Sequence, residues 1–264
     1  MSRVIAIANQ KGGVGKTTTN VNLSACVAEA GKKVLAIDID PQGNTTSGLG
    51  VDKSRVELSI YDVLINDCAI QDTIVPTSQE NLSLVPSSIS LAGAEIELVS
   101  MLAREHILKN ALQPVREAYD FIFIDCPPSL GLLTINALTA ADRLLVPIQC
   151  EYYALEGLSQ LLNTVQIVRK RLNPQLDVEG VVLTMFDGRT NLSVQVVDEV
   201  KKYFKNKVYS TIIPRNVRLG EAPSHGLPII KYDKSCTGAE AYTDLAEELI
   251  DAWEEEEHES QGIR

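Results

Sequence analysis

The run Asn9-Gln10-Lys11-Gly12-Gly13-Val14-Gly15-Lys16-Thr17-Thr18 has the residue types and spacing to hold a triphosphate. Glycines at 12, 13 and 15 remove the side chains that would keep phosphates away from the backbone. A turn that opens into a helix aims backbone N–H groups and the positive end of the helix dipole at one anion. Lys16 supplies a cation for the β- and γ-phosphates, and the Thr17 hydroxyl is placed to ligate Mg²⁺. The ordinary pattern for such a loop has a glycine five residues before Gly15. Gln10 stands there instead, and Lys11 adds a second lysine where one already serves the phosphates. Spacing leaves three destinations for Lys11: its own site, a solvent-facing surface, or the site of a neighbouring subunit. The bland alternative, a glycine turn with solvated lysines, is disfavoured by the apolar run before the loop and the helical pattern after it.

Carboxylates at the ends of apolar runs are the second chemical feature. Phe121-Ile122-Phe123-Ile124 ends in Asp125. A carboxylate so placed beside a phosphate loop reaches Mg²⁺, usually through water. The competing role is an N-cap for the next helix, which Cys126-Pro127-Pro128 postpones. The run 34–39 leads into Asp38-Ile39-Asp40-Pro41-Gln42-Gly43-Asn44. Two residues apart on a strand, Asp38 and Asp40 share a face, and Pro41 ends the strand. Asp40 can orient an attacking water or hold Mg²⁺, or it can simply cap a turn. The sequence does not decide whether Asp38 has any such role. The three histidines, at 106, 225 and 258, have no acidic or nucleophilic companions in sequence. With no dedicated strong base, hydrolysis is expected to be slow, closer to a timer than to a metabolic reaction.

These residues need a scaffold that gathers strand ends and helix starts along one edge. Apolar, β-branched runs at 4–8, 34–39, 82–85, 121–125, 143–148, 178–185 and 208–213 alternate with helical patterns at 17–30, 91–113, 130–140, 154–171, 191–204 and 239–256. Near-continuously apolar strands are those covered on both faces. The alternation predicts an α/β fold: a doubly wound, mostly parallel β-sheet with helices on both faces. No linker, repeat or low-complexity block divides the 264 residues. Residues 1–253 read as a single domain and 254–264 as an acidic, disordered tail. No apolar run approaches the ~20 residues that span a bilayer, and the run 4–8 is too short for a signal-peptide core. Five cysteines, none in Cys-x-x-Cys spacing, argue against a disulfide framework or a zinc site. The expectation is a cytoplasmic protein with reduced thiols.

The net charge of −11 argues at first against nucleic acid as a partner. Its distribution changes that. Residues 240–264 hold ten acidic residues and one arginine, leaving only −2 for the rest of the chain. Residues 186–234 carry nine Lys/Arg against five Asp/Glu, so an acidic total conceals a basic stretch. In the helix expected over 191–204, Leu192, Val196, Val200 and Tyr203 form one apolar stripe. Lys201, Lys202 and Lys205 fall largely off it.

Taken together, the motifs resemble one family. The segment from Ala6 through Lys11 and Lys16 to Thr18 is similar to a deviant Walker A loop, Asp38 to Asn44 to the switch I of the same superfamily, and Ile124-Asp125-Cys126-Pro127-Pro128-Ser129 to its Walker B and switch II. Gln149-Cys150-Glu151-Tyr152-Tyr153-Ala154-Leu155-Glu156-Gly157, Met185-Phe186-Asp187-Gly188-Arg189-Thr190 and Ile213-Pro214-Arg215-Asn216-Val217-Arg218-Leu219 narrow the resemblance to the ParA/Soj chromosome- and plasmid-partition ATPases. The match runs from Arg3 to about residue 249.

The resemblance implies a P-loop ATPase domain over 1–253 that takes ATP and Mg²⁺. ATP would drive a sandwich homodimer in which Lys11 reaches the partner's phosphates and Gly12 allows the two loops to approach. Thr17, Asp40 and Asp125 would serve the metal, and Asp40 would position the water. Pro214 and Asn216 match the segment that holds adenine. The dimer would bind double-stranded DNA without sequence preference, associate with the nucleoid, and be stimulated by a ParB-type DNA-binding protein. Arg189 matches a DNA-contact position, and Arg218, Lys201 and Lys202 are the further candidates. A solvated charged face is the alternative for these basic residues. A MinD-type membrane ATPase shares the loop but needs a basic amphipathic C-terminal helix, whereas this end reads Glu254-Glu255-Glu256-Glu257. No membrane partner is expected. An iron–sulfur reductase of the superfamily needs paired cysteines at a dimer interface, and Cys126 and Cys150 have the wrong motif contexts. A DNA-binding regulator without catalysis is the remaining alternative. The N-terminus starts on the loop's own strand, so an added helix-turn-helix domain is not expected.

Overall fold

The computed structural model describes residues 2–152 and 158–262. Eight strands form one sheet: β1 (Arg3–Ile7), β2 (Val34–Asp38), β3 (Val75–Pro76), β4 (Leu82–Val85), β5 (Phe121–Asp125), β6 (Arg143–Gln149), β7 (Asp177–Phe186) and β8 (Val208–Pro214). Their spatial order is β3-β4-β2-β5-β1-β6-β7-β8. Every pairing is parallel except β3 with β4. The strand β1, which feeds the glycine-rich loop, lies between β5 and β6.

Twelve α-helices complete the described chain: α1 (Lys16–Glu29), α2 (Asn44–Gly48), α3 (Ile60–Ile65), α4 (Ile70–Thr73), α5 (Leu91–Glu97), α6 (Ile107–Leu112), α7 (Leu132–Ala140), α8 (Leu158–Arg171), α9 (Asn191–Phe204), α10 (Val217–Glu221), α11 (Ile229–Tyr232) and α12 (Thr237–Gly262). The strands alternate between two cores. Val4, Ala6, Leu35, Ile37, Ile122 and Ile124 face one that α3 and α5 to α9 cover. Ile5, Ile7, Val34, Ala36, Phe121 and Phe123 face the other, closed by α1 and α10 to α12. Burial on both faces is why β1, β2 and β5 read as continuous apolar runs.

The short helices α2, α3, α4, α10 and α11 lie outside the helical patterns read from the sequence. The structure differs from that reading in four further places. The helix expected over 91–113 is broken between α5 and α6. Asn136 of α7 donates through Nδ2 to the Arg104 carbonyl (2.8 Å) and accepts at Oδ1 from Leu108 N–H (3.2 Å), so a buried side chain replaces helix continuity there. The short edge strand β3 was not expected; its Pro76 is tolerated because an edge leaves one side unpaired. Of the residues read as a disordered tail, 254–262 instead extend α12 to Gly262, and 263–264 lie outside the described residues. Basic residues at the sheet's lower edge neutralise them: Glu254 pairs with Lys32 (2.7 Å), and Glu256 bridges Arg3 and Arg143 (3.1 Å to the latter). Lys32 also stands over the Trp253 ring at 4.9 Å. On α9 the buried stripe is Ser193, Val196, Val197 and Val200, while Leu192 and Tyr203 are 40% and 56% exposed. The start of the helix expected from 154 lies outside the described residues.

Candidate active site

The glycine-rich loop leaves β1 at the carboxyl edge of the sheet and enters α1. Gly13 and Gly15 have φ of +74° and +90°, the hand that L side chains resist. A Cβ at Gly12 or Gly13 would meet no protein atom within 4 Å, so both open onto the space a ligand would occupy. Two long-range bonds and one local bond fix the loop. Asn9 Nδ2 donates to the Pro147 carbonyl of β6 (2.7 Å), Asn9 Oδ1 accepts from Lys11 N–H (3.0 Å), and Thr184 Oγ1 of β7 donates to the Val14 carbonyl (2.8 Å). Lys16 is buried, and its Nζ donates across the loop to the Lys11 carbonyl (3.1 Å). Burial pushes the Lys16 ammonium below its ordinary pKa, against the pull of Asp125 and Asp40. A triphosphate is the kind of anion that would oppose this and favour the charged form. Lys11 sits at the rim, and among the described residues it makes no ion pair.

Three carboxylates face this loop. Asp38 and Asp125 end β2 and β5 in register, both fully buried. Asp125 Oδ2 accepts from the hydroxyls of Thr17 and Thr45, each at 2.8 Å. Its Oδ1 is buried with no hydrogen-bond partner among the described residues. Burial, then the neighbouring charge of Asp38, pushes the Asp125 carboxyl up. Burial likewise raises Asp38, against the hydrogen bonds it accepts. An unpartnered carboxylate oxygen beside two hydroxyls is a site that a hard divalent cation would complete, and the cation's charge would return Asp125 to its ionised form. The capping alternative for Asp125 falls away, because α7 begins at Leu132 with Gly131 as its N-cap.

Asp40 is 8% exposed and contributes charge at Lys16. Its Oδ1 accepts from Gln42 N–H (2.9 Å), so the turn-capping role read from sequence is present as well. Asp38 is committed to Thr46: its Oδ2 accepts from both the N–H and the hydroxyl of that residue at 2.7 Å. Thr45 and Thr46 were not anticipated. They follow the Asp38–Asn44 motif directly, and α2 is what turns their hydroxyls back onto β2 and β5.

A cavity of about 200 Å³ opens beside the loop, lined by Gly15, Thr18, Met185, Pro214, Asn216 and Tyr242 among others. It brings Pro214 and Asn216 next to the phosphate loop although they lie some two hundred residues away in sequence. Asn216 caps α10, accepting at Oδ1 from Arg218 N–H (2.8 Å), and its Nδ2 donates to Thr237 Oγ1 (2.9 Å). Tyr242 was also not anticipated; its hydroxyl bonds Thr19 of α1 at 3.1 Å.

The basic candidates are carried by different elements. Arg189, on the β7–α9 loop, is 87% exposed at its side chain and paired with Asp187 (2.7 Å). That pairing holds the Asp187 carboxyl down at about 2. Arg218 pairs with Glu221 (2.8 Å) and Asp233 (3.4 Å) on the neighbouring strand's exit. Lys201 and Lys202 are exposed at the far end of α9, about 15 Å along the helix from its start.

The chain matches the AAA domain family over residues 2–178. It is 65% identical over 249 residues to the sporulation initiation inhibitor protein Soj of Bacillus subtilis, covering 94% of this chain and 98% of that one. It is 54% identical over 250 residues to the chromosome partitioning protein ParA of Myxococcus xanthus, covering 95% and 88%. This chain belongs to the ParA/Soj family. Among solved structures, the cobyrinic acid a,c-diamide synthase of Mycobacterium smegmatis with bound ADP and magnesium superposes with a TM-score of 0.85 at 39% identity, covering 96% of each chain. Solved structures of this fold carry different functional names, so the fold alone does not choose an activity; the ParA/Soj relatives do. Among the described residues no helix is long and apolar enough to cross a membrane.

Proposed function

We propose that this chain is an ATP-dependent DNA-partition ATPase whose ATP-bound form is a sandwich homodimer on DNA, released by slow hydrolysis that a ParB-type partner stimulates. ATP hydrolysis and a role in partition rest on the family and on the site. The dimer, the DNA and the partner are the finer reading. Its carrying observation is the difference between two lysines on one loop: Lys16 is buried against the carboxylates, and Lys11 is half-buried and, among the described residues, without an ion pair.

In this reading Gly12 to Thr18 cradle the phosphates, Lys16 neutralises the β- and γ-phosphates, and the cavity at Pro214 and Asn216 takes adenine. Thr17 and Asp125 hold Mg²⁺, with Asp40 close by; the cation supplies charge neutralisation at the phosphate oxygens. Asp40 accepts a hydrogen bond from water and aligns it with the γ-phosphorus. The water oxygen forms the new P–O bond as the bond to the β-phosphate oxygen breaks, giving ADP and inorganic phosphate. Lys11 of each protomer reaches the partner's phosphates, which would make dimerisation depend on the triphosphate. Arg189, Arg218, Lys201 and Lys202 contact DNA phosphates without reading bases. Dimerisation doubles their number, and affinity depends steeply on the phosphates neutralised. Such a protein would associate with the nucleoid.

The decisive experiment is retention of random-sequence double-stranded DNA against nucleotide state, with sedimentation in parallel and salt varied. ATP is expected to give a dimer that retains DNA, and ADP a monomer that does not. Equal retention with ADP, or a monomer with ATP, would sink the dimer reading.

A further inference from the structure

Asp40 belongs to no helix or strand, yet its peptide is held on both sides. Its N–H donates to Asp38 Oδ1 (3.3 Å). Its carbonyl accepts from the Ser87 hydroxyl (2.8 Å). Ser87 follows β4 and is itself fully buried. Its N–H donates to Thr46 Oγ1 (2.9 Å), and the Thr46 hydroxyl donates to Asp38 Oδ2 (2.7 Å). The four residues close a ring, Asp40 to Ser87 to Thr46 to Asp38 and back, of which Ser87, Thr46 and Asp38 are wholly removed from water.

We infer that Ser87 is a positioning residue for ATP hydrolysis: by anchoring the Asp40 carbonyl it fixes where the Asp40 carboxylate meets the water. A carboxylate on an irregular loop ahead of a proline has no ladder to set its backbone. Orientation to within a fraction of an ångström governs the reaction rate. The Asp38 contact fixes the entering side of the residue and the Ser87 contact the leaving side, so the side chain is aimed by two strands other than its own loop. Ser87 touches neither phosphate nor metal in this arrangement. Its effect on catalysis therefore runs entirely through Asp40, and the inference rests on Asp40 being the water-orienting group.

The test compares Ser87→Ala and Ser87→Cys with the native chain in single-turnover ATP hydrolysis, alongside the affinity for a non-hydrolysable ATP analogue and the melting temperature. Ser87→Ala is expected to lower kcat about tenfold while analogue affinity stays within about twofold. Ser87→Cys, similar in size with a weaker donor, is expected to fall between. Should Ser87→Ala fail to fold, Thr46→Ser, which keeps the ring's hydroxyl, should hold native kcat, and Thr46→Val should lose it at retained analogue affinity. Unchanged kcat in Ser87→Ala, or affinity falling in step with kcat, overturns the inference. Asp40→Ala run in parallel separates the two claims. If it hydrolyses ATP normally, the reading of Asp40 fails; if it is inactive and Ser87→Ala is normal, only the role of Ser87 fails.

Discussion

The phosphate site and the basic surface are built on opposite plans. At the first, Lys16, Asp38, Asp40 and Asp125 are buried, with Asp125 held by Thr17 and Thr45, Asp38 by Thr46, and Asp40 tied to Asp38 and Ser87. At the second, Arg189 and Arg218 stand in water, each paired with an acid from its own neighbourhood. A buried network is worth more than its parts and fails as a unit, whereas exposed pairs contribute little singly and are screened by salt. Substitutions in the first region should therefore act in large steps, and those in the second in small additive ones.

The largest step is expected at Lys16. Lys16→Ala leaves Asp40 and Asp125 without their cation and should weaken ATP binding by about a hundredfold or more, abolishing ATP-dependent DNA retention with it. Equilibrium nucleotide binding measures this, and a loss below tenfold would mean that the loop's backbone and not its lysine holds the phosphates. Next comes Asp40→Ala, which should reduce hydrolysis by about a hundredfold yet keep ATP binding, trapping the protein as a DNA-retaining dimer. Normal turnover would remove Asp40 from the chemistry.

On the basic surface the steps shrink. Arg189→Ala should weaken DNA binding about tenfold and lower the slope of log affinity against log salt by about one per protomer, leaving ATP-driven dimerisation intact. Loss of dimerisation as well would make Arg189 structural and dissolve the contrast between the two regions. The smallest effect is expected at Asp187, whose carboxylate would compete with DNA phosphate for the Arg189 guanidinium in the proposed reading. Asp187→Asn should raise DNA affinity by about two- to fivefold at low salt and by less at high salt. A fall in affinity would show that Asp187 orients Arg189 instead of occupying it.

How much of this could be read from the chain follows the same division. The placement of Lys16 and Thr17 at the start of α1 was legible because a loop between a strand and a helix imposes residue types at fixed spacing. Asp125 was legible because an apolar run ends on it. Thr45, Ser87, Thr184 and Tyr242 were not. A serine or threonine carries no periodic signal, and each meets its partner across a long stretch of chain: 80 residues for Thr45 with Asp125 and 170 for Thr184 with Val14. The break between α5 and α6 was hidden for the same reason, since Asn136 causes it from another helix. The end of α12 misled in the other direction. A run of glutamates looks unable to order itself until Arg3, Lys32 and Arg143 are brought beneath it. Lys201 and Lys202 show a further limit, because sequence proximity to Arg189 does not place them at the same end of α9.

The position of β1 between β5 and β6 has a consequence for the birth of the molecule on the ribosome. The strand β1 has both its neighbours more than a hundred residues downstream, Arg3 meeting Phe121 and Ile5 meeting Arg143. At synthesis rates of about 5–20 residues per second, β1 and the loop behind it wait roughly 6–24 s before the first partner exists. For that whole interval β1 lacks both its sheet partners, so the strand that carries the nucleotide-binding loop is made well before it can be assembled.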